Sequence, residues 1–266
     1  MKQRLITGVI AGALFIGLCL LGGWWYHLLL IGMALIGYYE FVKMTGVSPA
    51  GGTALWGYLG IIAFMAPWGL MDSRAPLTWE QLVWFVLFGF LLITVLTKNK
   101  TDIRQSALLF IAVVYIGSGF YYMAFTRSAP DGHGLLWTFL LLFCIWGSDA
   151  GAYFVGKAMG KHKLWPAISP NKTVEGAAGG IVISMIIAAA FAVLGLDSLS
   201  IGRALAIGLS CAVVGQLGDL VQSAYKRAYG IKDSGSLLPG HGGILDRCDS
   251  WIVVFPFVHM ILLMPY

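Results

Sequence analysis

In the stretch QLGDLVQSAYKR, Asp219, Ser223, Lys226 and Arg227 follow one another at steps of four, three and one. On a helix those steps keep the four side chains along one side, and the rise from Asp219 to Lys226 is about 10 Å. One face therefore runs from a carboxylate to two cations. A basic helix end that reaches toward the membrane surface accounts for Lys226 and Arg227, but it gives no reason for Asp219. Farther on, ILDRCDSW places Asp246 and Asp249 one helical turn apart, where both can face the same point. If the following helix folds back on the one that carries Asp219, three carboxylates meet. In a low dielectric such a group must either take up protons or hold a divalent cation, and a ligand set of oxygens alone suits Mg²⁺.

The neighbouring cations favour metal over a proton path. Lys226, Arg227, Lys232 and Arg247 would crowd a bare proton relay with positive charge. A nucleoside triphosphate instead needs carboxylates for Mg²⁺ and Lys or Arg for the remaining phosphate oxygens. Glycines 235, 240, 242 and 243 let backbone N–H groups approach an anion closely. His241, flanked by two of them, can donate to a phosphate, shape the turn or act in proton transfer. Asp233, beside Lys232, reads as an ion-pairing or turn residue.

These residues are set in a very apolar chain. Of its 266 residues, 59% are hydrophobic and 14% aromatic; the mean hydropathy is +0.82. A soluble domain is about 45 to 50% apolar. The composition predicts an all-α, polytopic integral membrane protein forming a single membrane domain over residues 1–266. Apolar runs predict about nine transmembrane helices, near residues 5–23, 25–42, 54–71, 82–97, 106–126, 134–155, 176–195, 203–222 and 251–264. Helices within 1–126 read as mainly structural; those within 134–266, with their loops, carry the candidate site. The division at GGWWY, residues 22–26, decides the count, since without a turn there the topology reverses.

Basic residues orient the spans. With the N-terminus inside, fourteen of the seventeen Lys and Arg fall on the cytoplasmic side, leaving Arg74, Arg127 and Arg203 outside. That arrangement is N-in and C-out. The net charge of +5 is then mostly topology signal and attraction to anionic head groups, and it suggests no nucleic acid. The first helix reads as a retained span rather than a signal peptide, since its core is long and no A-x-A site follows. Cys19, Cys144, Cys211 and Cys248 are dispersed without CxxC, which indicates neither a disulfide framework nor a zinc site.

Other motifs narrow the field. GKAMGKH, residues 156–162, has the wrong glycine spacing for a P-loop and His where Ser or Thr is needed; HExxH and GxSxG do not occur. Glycine pairs at 8 and 12, 147 and 151, and 176 and 180 have the spacing that lets helices pack closely. Asp149 lies about two turns inside the end of its span, with Tyr153 on the same face. A carboxylate there is costly enough to point to a cavity-lining or functional role. Glu175, in the first turn of the next span, suits the helix dipole and needs no further role.

SAYKRAYGIKDSGSLLPGHGGILDRCD, residues 223–249, resembles the signature of the phosphatidate cytidylyltransferases, or CDP-diacylglycerol synthases: S-x-x-K-R, then K-D, then P-x-H-G-G-x-x-D-R-x-D. The departures are Tyr225 and Cys248, at spacer positions. SDAGAYFVG, residues 148–156, and SPNKTVEG, residues 169–176, resemble family segments too, so the similarity covers about the C-terminal half.

The resemblance implies Mg²⁺-dependent transfer of CMP from CTP to phosphatidate, giving CDP-diacylglycerol and pyrophosphate for phospholipid biosynthesis. It implies one or more metal ions held by Asp219, Asp246 and Asp249, with Lys226 and Arg227 in the catalytic group. Lys232, His241, Asn171, Lys172, Asp149, Ser223 and Arg247 would bind substrate. The lipid phosphate is the attacking group; with a second pKa near 6 it is largely dianionic at neutral pH and needs no general base. The expected location is the cell inner (plasma) membrane, multi-pass, with the active site facing the cytoplasm, and a homodimer is left open. The alternatives are a related CTP-using membrane enzyme with another lipid acceptor, such as a polyprenol kinase or an archaeal-type lipid cytidylyltransferase, and a cation-coupled transporter.

Overall fold

The computed structural model describes residues 2–71, 75–195, 199–237, 242–264 and 266. Helices α1 (Lys2–Leu21), α2 (Gly23–Met44), α3 (Gly52–Phe64), α4 (Trp79–Leu96), α5 (Ile103–Arg127) and α6 (Gly134–Met159) come first. Strands β1 (Lys163–Trp165) and β2 (Ser169–Thr173) follow, then α7 (Val174–Leu194), α8 (Ile201–Ala228), the short α9 (Leu245–Cys248) and α10 (Trp251–Met260). Among the described residues the protein is all-α apart from the small hairpin. Among the described residues six helices are long and apolar enough to cross a membrane: α2, α4, α5, α6, α7 and α8. The described apolar part of α1, α3 and α10 are shorter, although each lies where a span is expected from sequence.

The chain divides into two compact units, one of residues 1–124 and 233–247, the other of 125–232 and 248–266. In the first, Gly22 and Gly23 take φ of 65° and 50°, and the helix breaks at Gly22. Such φ values suit residues without a Cβ. The Phe15 and Tyr26 rings then meet with centroids 6.0 Å apart, where eleven residues of unbroken helix would separate them by about 16 Å. The turn at GGWWY thus exists. Shortening of α3 relative to the expected 54–71 has a local cause: Pro67 lacks an N–H and disfavours helical conformation at Ala66, so the helix stops and a 3₁₀ turn, Trp68–Met71, follows. α4 begins with a capping box, Thr78 and Gln81 exchanging backbone and side-chain bonds. Exposed Trp84, Phe85, Phe88, Val95 and Leu96 on α4 are the surface expected of a lipid-facing helix.

The second unit is built on the close approach of α6 and α7. A Cβ on Gly147 would lie 2.2 Å from Ile187 Cδ1, and one on Gly180 would lie 2.6 Å from the Ser148 carbonyl oxygen. Both expected glycine pairs there are used for packing, whereas Gly12 on α1 has nothing within 4 Å of its would-be Cβ. The α7–α8 pair is tied by the Ser184 hydroxyl, which donates to the Gly208 carbonyl at 2.8 Å inside the apolar core. α10 packs against α8 and α6, and the Ser250 hydroxyl donates to the Gly215 carbonyl at 3.0 Å. α8 is 28 residues long, hence about 42 Å, more than the hydrocarbon core of a bilayer requires. Its last turns continue beyond the span expected at 203–222.

Between α6 and α7, where only a loop is expected from sequence, residues 163–173 form an antiparallel hairpin, Lys163 pairing with Thr173 and Trp165 with Ser169. Glu175 anchors it. Its carboxylate accepts the N–H groups of Lys161 and His162 and meets His162 Nδ1 at 2.6 Å. The expectation that Glu175 needs no role beyond the helix dipole is therefore corrected. Thr173 caps α7, its hydroxyl accepting the Gly176 N–H at 3.1 Å, so hairpin and helix are fixed at one junction.

Candidate functional site

In the second unit, the end of α6, the hairpin, the start of α7 and the middle of α8 enclose a pocket of about 440 Å³, within the usual range for small-molecule sites. Asp149, Tyr153 and Lys157 line it from α6, Asn171 and Lys172 from β2, and Gln216 and Asp219 from α8. Four sequence-derived site residues, Asp149, Asn171, Lys172 and Asp219, thus share one cavity. Asp149 and Tyr153 reach it together because four helical residues bring side chains back to one face.

Lys172 and Asp219, 47 positions apart, form an ion pair at 2.6 Å, both side chains half-buried. Asp219 Oδ1 also accepts the Ser223 hydroxyl at 3.2 Å. Gln216, not singled out from sequence, donates from Nε2 to Ser148 Oγ and to the Ala177 carbonyl, each at 3.3 Å. It links α6, α7 and α8 directly beneath Asp219, one turn away. A Gln within the apolar part of α8, three residues before an Asp, is the signal that the sequence offers.

Asp249 joins this group through packing. Gly218 has no Cβ to push away the Asp249 carbonyl, which a methyl group would meet at 2.7 Å, so the turn before α10 sits directly on α8. Burial, and next the negative charge of Asp219, push the Asp249 carboxyl up to about 7, while the Ser250 N–H at 2.7 Å and Lys226 act the other way. Asp149 adds to the upward push. Three carboxylates therefore sense one another here, with Lys172 and Lys226 opposing them.

The end of α8 is closed by Gly230 at φ 67° and by the Ile231 N–H, which donates to the Lys226 carbonyl at 2.9 Å. Arg227 Nη1 donates to the Ile231 carbonyl at 2.9 Å, which uses one of the five guanidinium donors. Lys226 is buried, whereas Lys232 and Arg247 are exposed. His241 lies outside the described residues.

Asp246 belongs to the first unit, and there its Oδ2 accepts the N–H groups of Ser234 at 2.8 Å and Gly243 at 2.9 Å. Glu40 of α2, which no motif in the sequence marks, accepts the N–H groups of Ile244 at 2.9 Å and Leu245 at 3.0 Å, and the Ser234 hydroxyl at 3.0 Å. The glycine-rich segment does approach anions closely, but at Gly235, Gly242 and Gly243 the anions are the protein's own carboxylates. That changes the expected role of these glycines from cradling a substrate phosphate to admitting Glu40 and Asp246.

Among the described residues no group of three or more His, Cys, Asp or Glu is gathered as a set of metal ligands. The donors present nonetheless fit Mg²⁺. They are hard carboxylate oxygens, the ligand type that this ion takes. Mg²⁺ is commonly held by one or two carboxylates plus substrate phosphates, and Asp219 and Asp249 are two carboxylates of one unit.

A model of the cytidylyltransferase family matches residues 2–264. The chain is 41% identical over 263 residues to a phosphatidate cytidylyltransferase of Bacillus subtilis (strain 168), an alignment that covers 98% of this chain and 97% of that one. It is 40% identical over 266 residues to a phosphatidate cytidylyltransferase of Staphylococcus haemolyticus (strain JCSC1435), covering 99% of each.

Proposed function

Because the chain belongs to the cytidylyltransferase family, we propose that it transfers CMP from CTP to phosphatidate in phospholipid biosynthesis, at the pocket around Lys172 and Asp219. The observation that carries this reading is that pocket: a cavity of nucleotide-accommodating size, lined by carboxylates and lysines, at the ends of apolar helices. A phosphate oxygen of phosphatidate bonds to the α-phosphorus of CTP, the α–β phosphoanhydride breaks, and pyrophosphate leaves with the electron pair. Both reactants are anions, so the residues that matter are those that reduce repulsion and hold the two phosphates in line. Lys172, Lys226, Arg227 and Lys232 neutralise phosphate oxygens, and Arg247 adds a further cation. Asn171 and Ser223 donate hydrogen bonds. Asp149 orients the lysines opposite it. Mg²⁺, held by Asp219 and Asp249, would supply charge neutralisation on the triphosphate and the departing pyrophosphate, and Asp246 offers a carboxylate for Mg²⁺ as well.

The pocket opens at the end of the helices that carries Lys157, Lys161, Lys163, Lys172, Lys226 and Arg227. The positive-inside rule assigns that end to the cytoplasm, where CTP is supplied. The protein would then be a multi-pass protein of the cell inner membrane, N-in and C-out. Single cysteines at Lys100 and at Pro130, both exposed positions, test this in a cysteine-free background. An impermeant thiol reagent is expected to label the first only from the cytoplasmic side and the second only from the other. Labelling of both from one side would overturn the orientation.

Product analysis tests the reaction. Purified protein with phosphatidate, Mg²⁺ and labelled CTP is expected to release pyrophosphate and to give a CMP-bearing lipid. CDP together with a phosphorylated lipid would identify a kinase. A CMP-bearing lipid formed only from another acceptor would move the substrate assignment, and absence of any covalent product with folded protein would favour a transporter.

A further inference from the structure

Glu40 is 3% exposed and lies near the end of α2, where the neighbouring Phe41 and Val42 are buried as well. A carboxylate in such a position is stable only if donors surround it. Its donors all come from one distant segment. Oε1 takes the Ile244 N–H, and Oε2 takes the Leu245 N–H and the Ser234 hydroxyl, partners that lie 194 to 205 positions away in the chain. Room has been made for it. A Cβ on Gly235 would lie 2.5 Å from Glu40 Oε1, and one on Gly243 would lie 2.3 Å from Oε2. Neither glycine has positive φ, so what excludes a side chain there is the carboxylate and not the backbone. Asp246 holds the same segment from its other side through the Ser234 and Gly243 N–H groups.

We propose that Glu40 is a positioning residue for cytidylyl transfer: it is the anchor that holds Ser234, Ile244 and Leu245, and thereby sets where Asp246 and Arg247 stand. This rests on the function proposed above. Glu40 touches no substrate. Its effect is geometric, and a misplacement of about 1 Å in catalytic groups can cost about 10²-fold in rate. Two carboxylates of one unit thus divide the work on this segment, Glu40 holding the amides that lead into α9 and Asp246 holding the turn before it.

The test uses the full chain, purified, with phosphatidate and labelled CTP. Glu40→Gln keeps the size of the side chain but replaces one acceptor oxygen by a donor, so at least one of the three bonds is lost. Turnover is expected to fall about 10- to 100-fold with the KM for CTP changed less than about threefold, the pattern of a displaced catalytic group and not of lost ground-state binding. Hydrogen exchange at the Ile244 and Leu245 amides is expected to quicken at least about tenfold while the amides of α7 and α8 keep their protection. Gly243→Ala supplies an independent arm. It should impair turnover by itself, yet add nothing to Glu40→Ala, because the truncated side chain no longer occupies the space that the new methyl needs.

Parental kinetics in Glu40→Gln, unchanged exchange at Ile244 and Leu245, or additive losses in the double variant would each overturn the proposal. Failure of the parent protein to form a CMP-bearing lipid would instead remove the reaction assignment, while the exchange experiment still reads whether Glu40 holds the segment.

Discussion

Asp219→Asn is expected to lower turnover at least about 10³-fold in a protein that still folds. The magnitude follows from its position. Asp219 lines the pocket, meets Lys172 at 2.6 Å and acts on the charge of Asp249, so it both sets the lysine and contributes negative charge where a cation is to be held. Losing one preorganised electrostatic group in an enzyme site costs about 10²- to 10³-fold, and loss of a metal ligand adds to that. Stability should change little. The Lys172–Asp219 pair is partly open to solvent, with side-chain exposures of 26% and 35%, and such pairs contribute about 0 to 1 kcal/mol. Removing one of three mutually repelling carboxylates offsets part of even that. The variant should therefore extract as a monodisperse species whose Tm lies within a few degrees of the parent's, roughly the shift that 1 kcal/mol produces in a chain of this size. A folded Asp219→Asn protein that turns over within about tenfold of the parent would refute the assignment.

Asp246→Asn is expected to abolish most turnover as well, and here the geometry makes the reason separable. Asp246 Oδ2 accepts the Ser234 and Gly243 N–H groups. An Asn carbonyl oxygen can accept the same two groups, so the bracing that these two bonds give survives the change with a loss of about 1 kcal/mol or less. A ligand role does not survive it, because the formal charge is gone. Binding of Mn²⁺ to the purified protein distinguishes the two: Asp246→Asn should weaken it by more than about tenfold, whereas Ser128→Ala, at an exposed position between helices, should leave it unchanged. An inactive, folded Asp246→Asn protein that binds Mn²⁺ like the parent would restrict Asp246 to bracing the segment that Glu40 also holds.

What could be read from the sequence is what a helix decides by itself. Long apolar runs require backbone bonds to be made within the segment, so the helical class and the places of α1 to α8 and α10 followed from hydropathy alone. The repeat of 3.6 residues put Asp149 with Tyr153 and Asp219 with Ser223 on common faces, and those pairs stand as expected. Local breakers were partly legible: Gly22 and Gly23 marked the first turn, but the stop that Pro67 imposes on α3 was missed.

Nothing local distinguishes Glu40 from any other charged residue near the end of an apolar span, and its partners at Ser234, Ile244 and Leu245 are set only by the packing of a distant segment onto α2. The same holds for Lys172, whose place opposite Asp219 depends on a hairpin whose five-residue second strand has no strong periodic signal, and on Glu175 fastening that hairpin to α7. Asp249 comes beside Asp219 because Gly218 allows the turn to sit on α8. Sequence spacing determined which carboxylates and lysines share a helix face, since one turn of backbone fixes that distance; which carboxylate meets which lysine or amide was decided by close packing between elements far apart in the chain, where a missing Cβ settles how near two backbones can come.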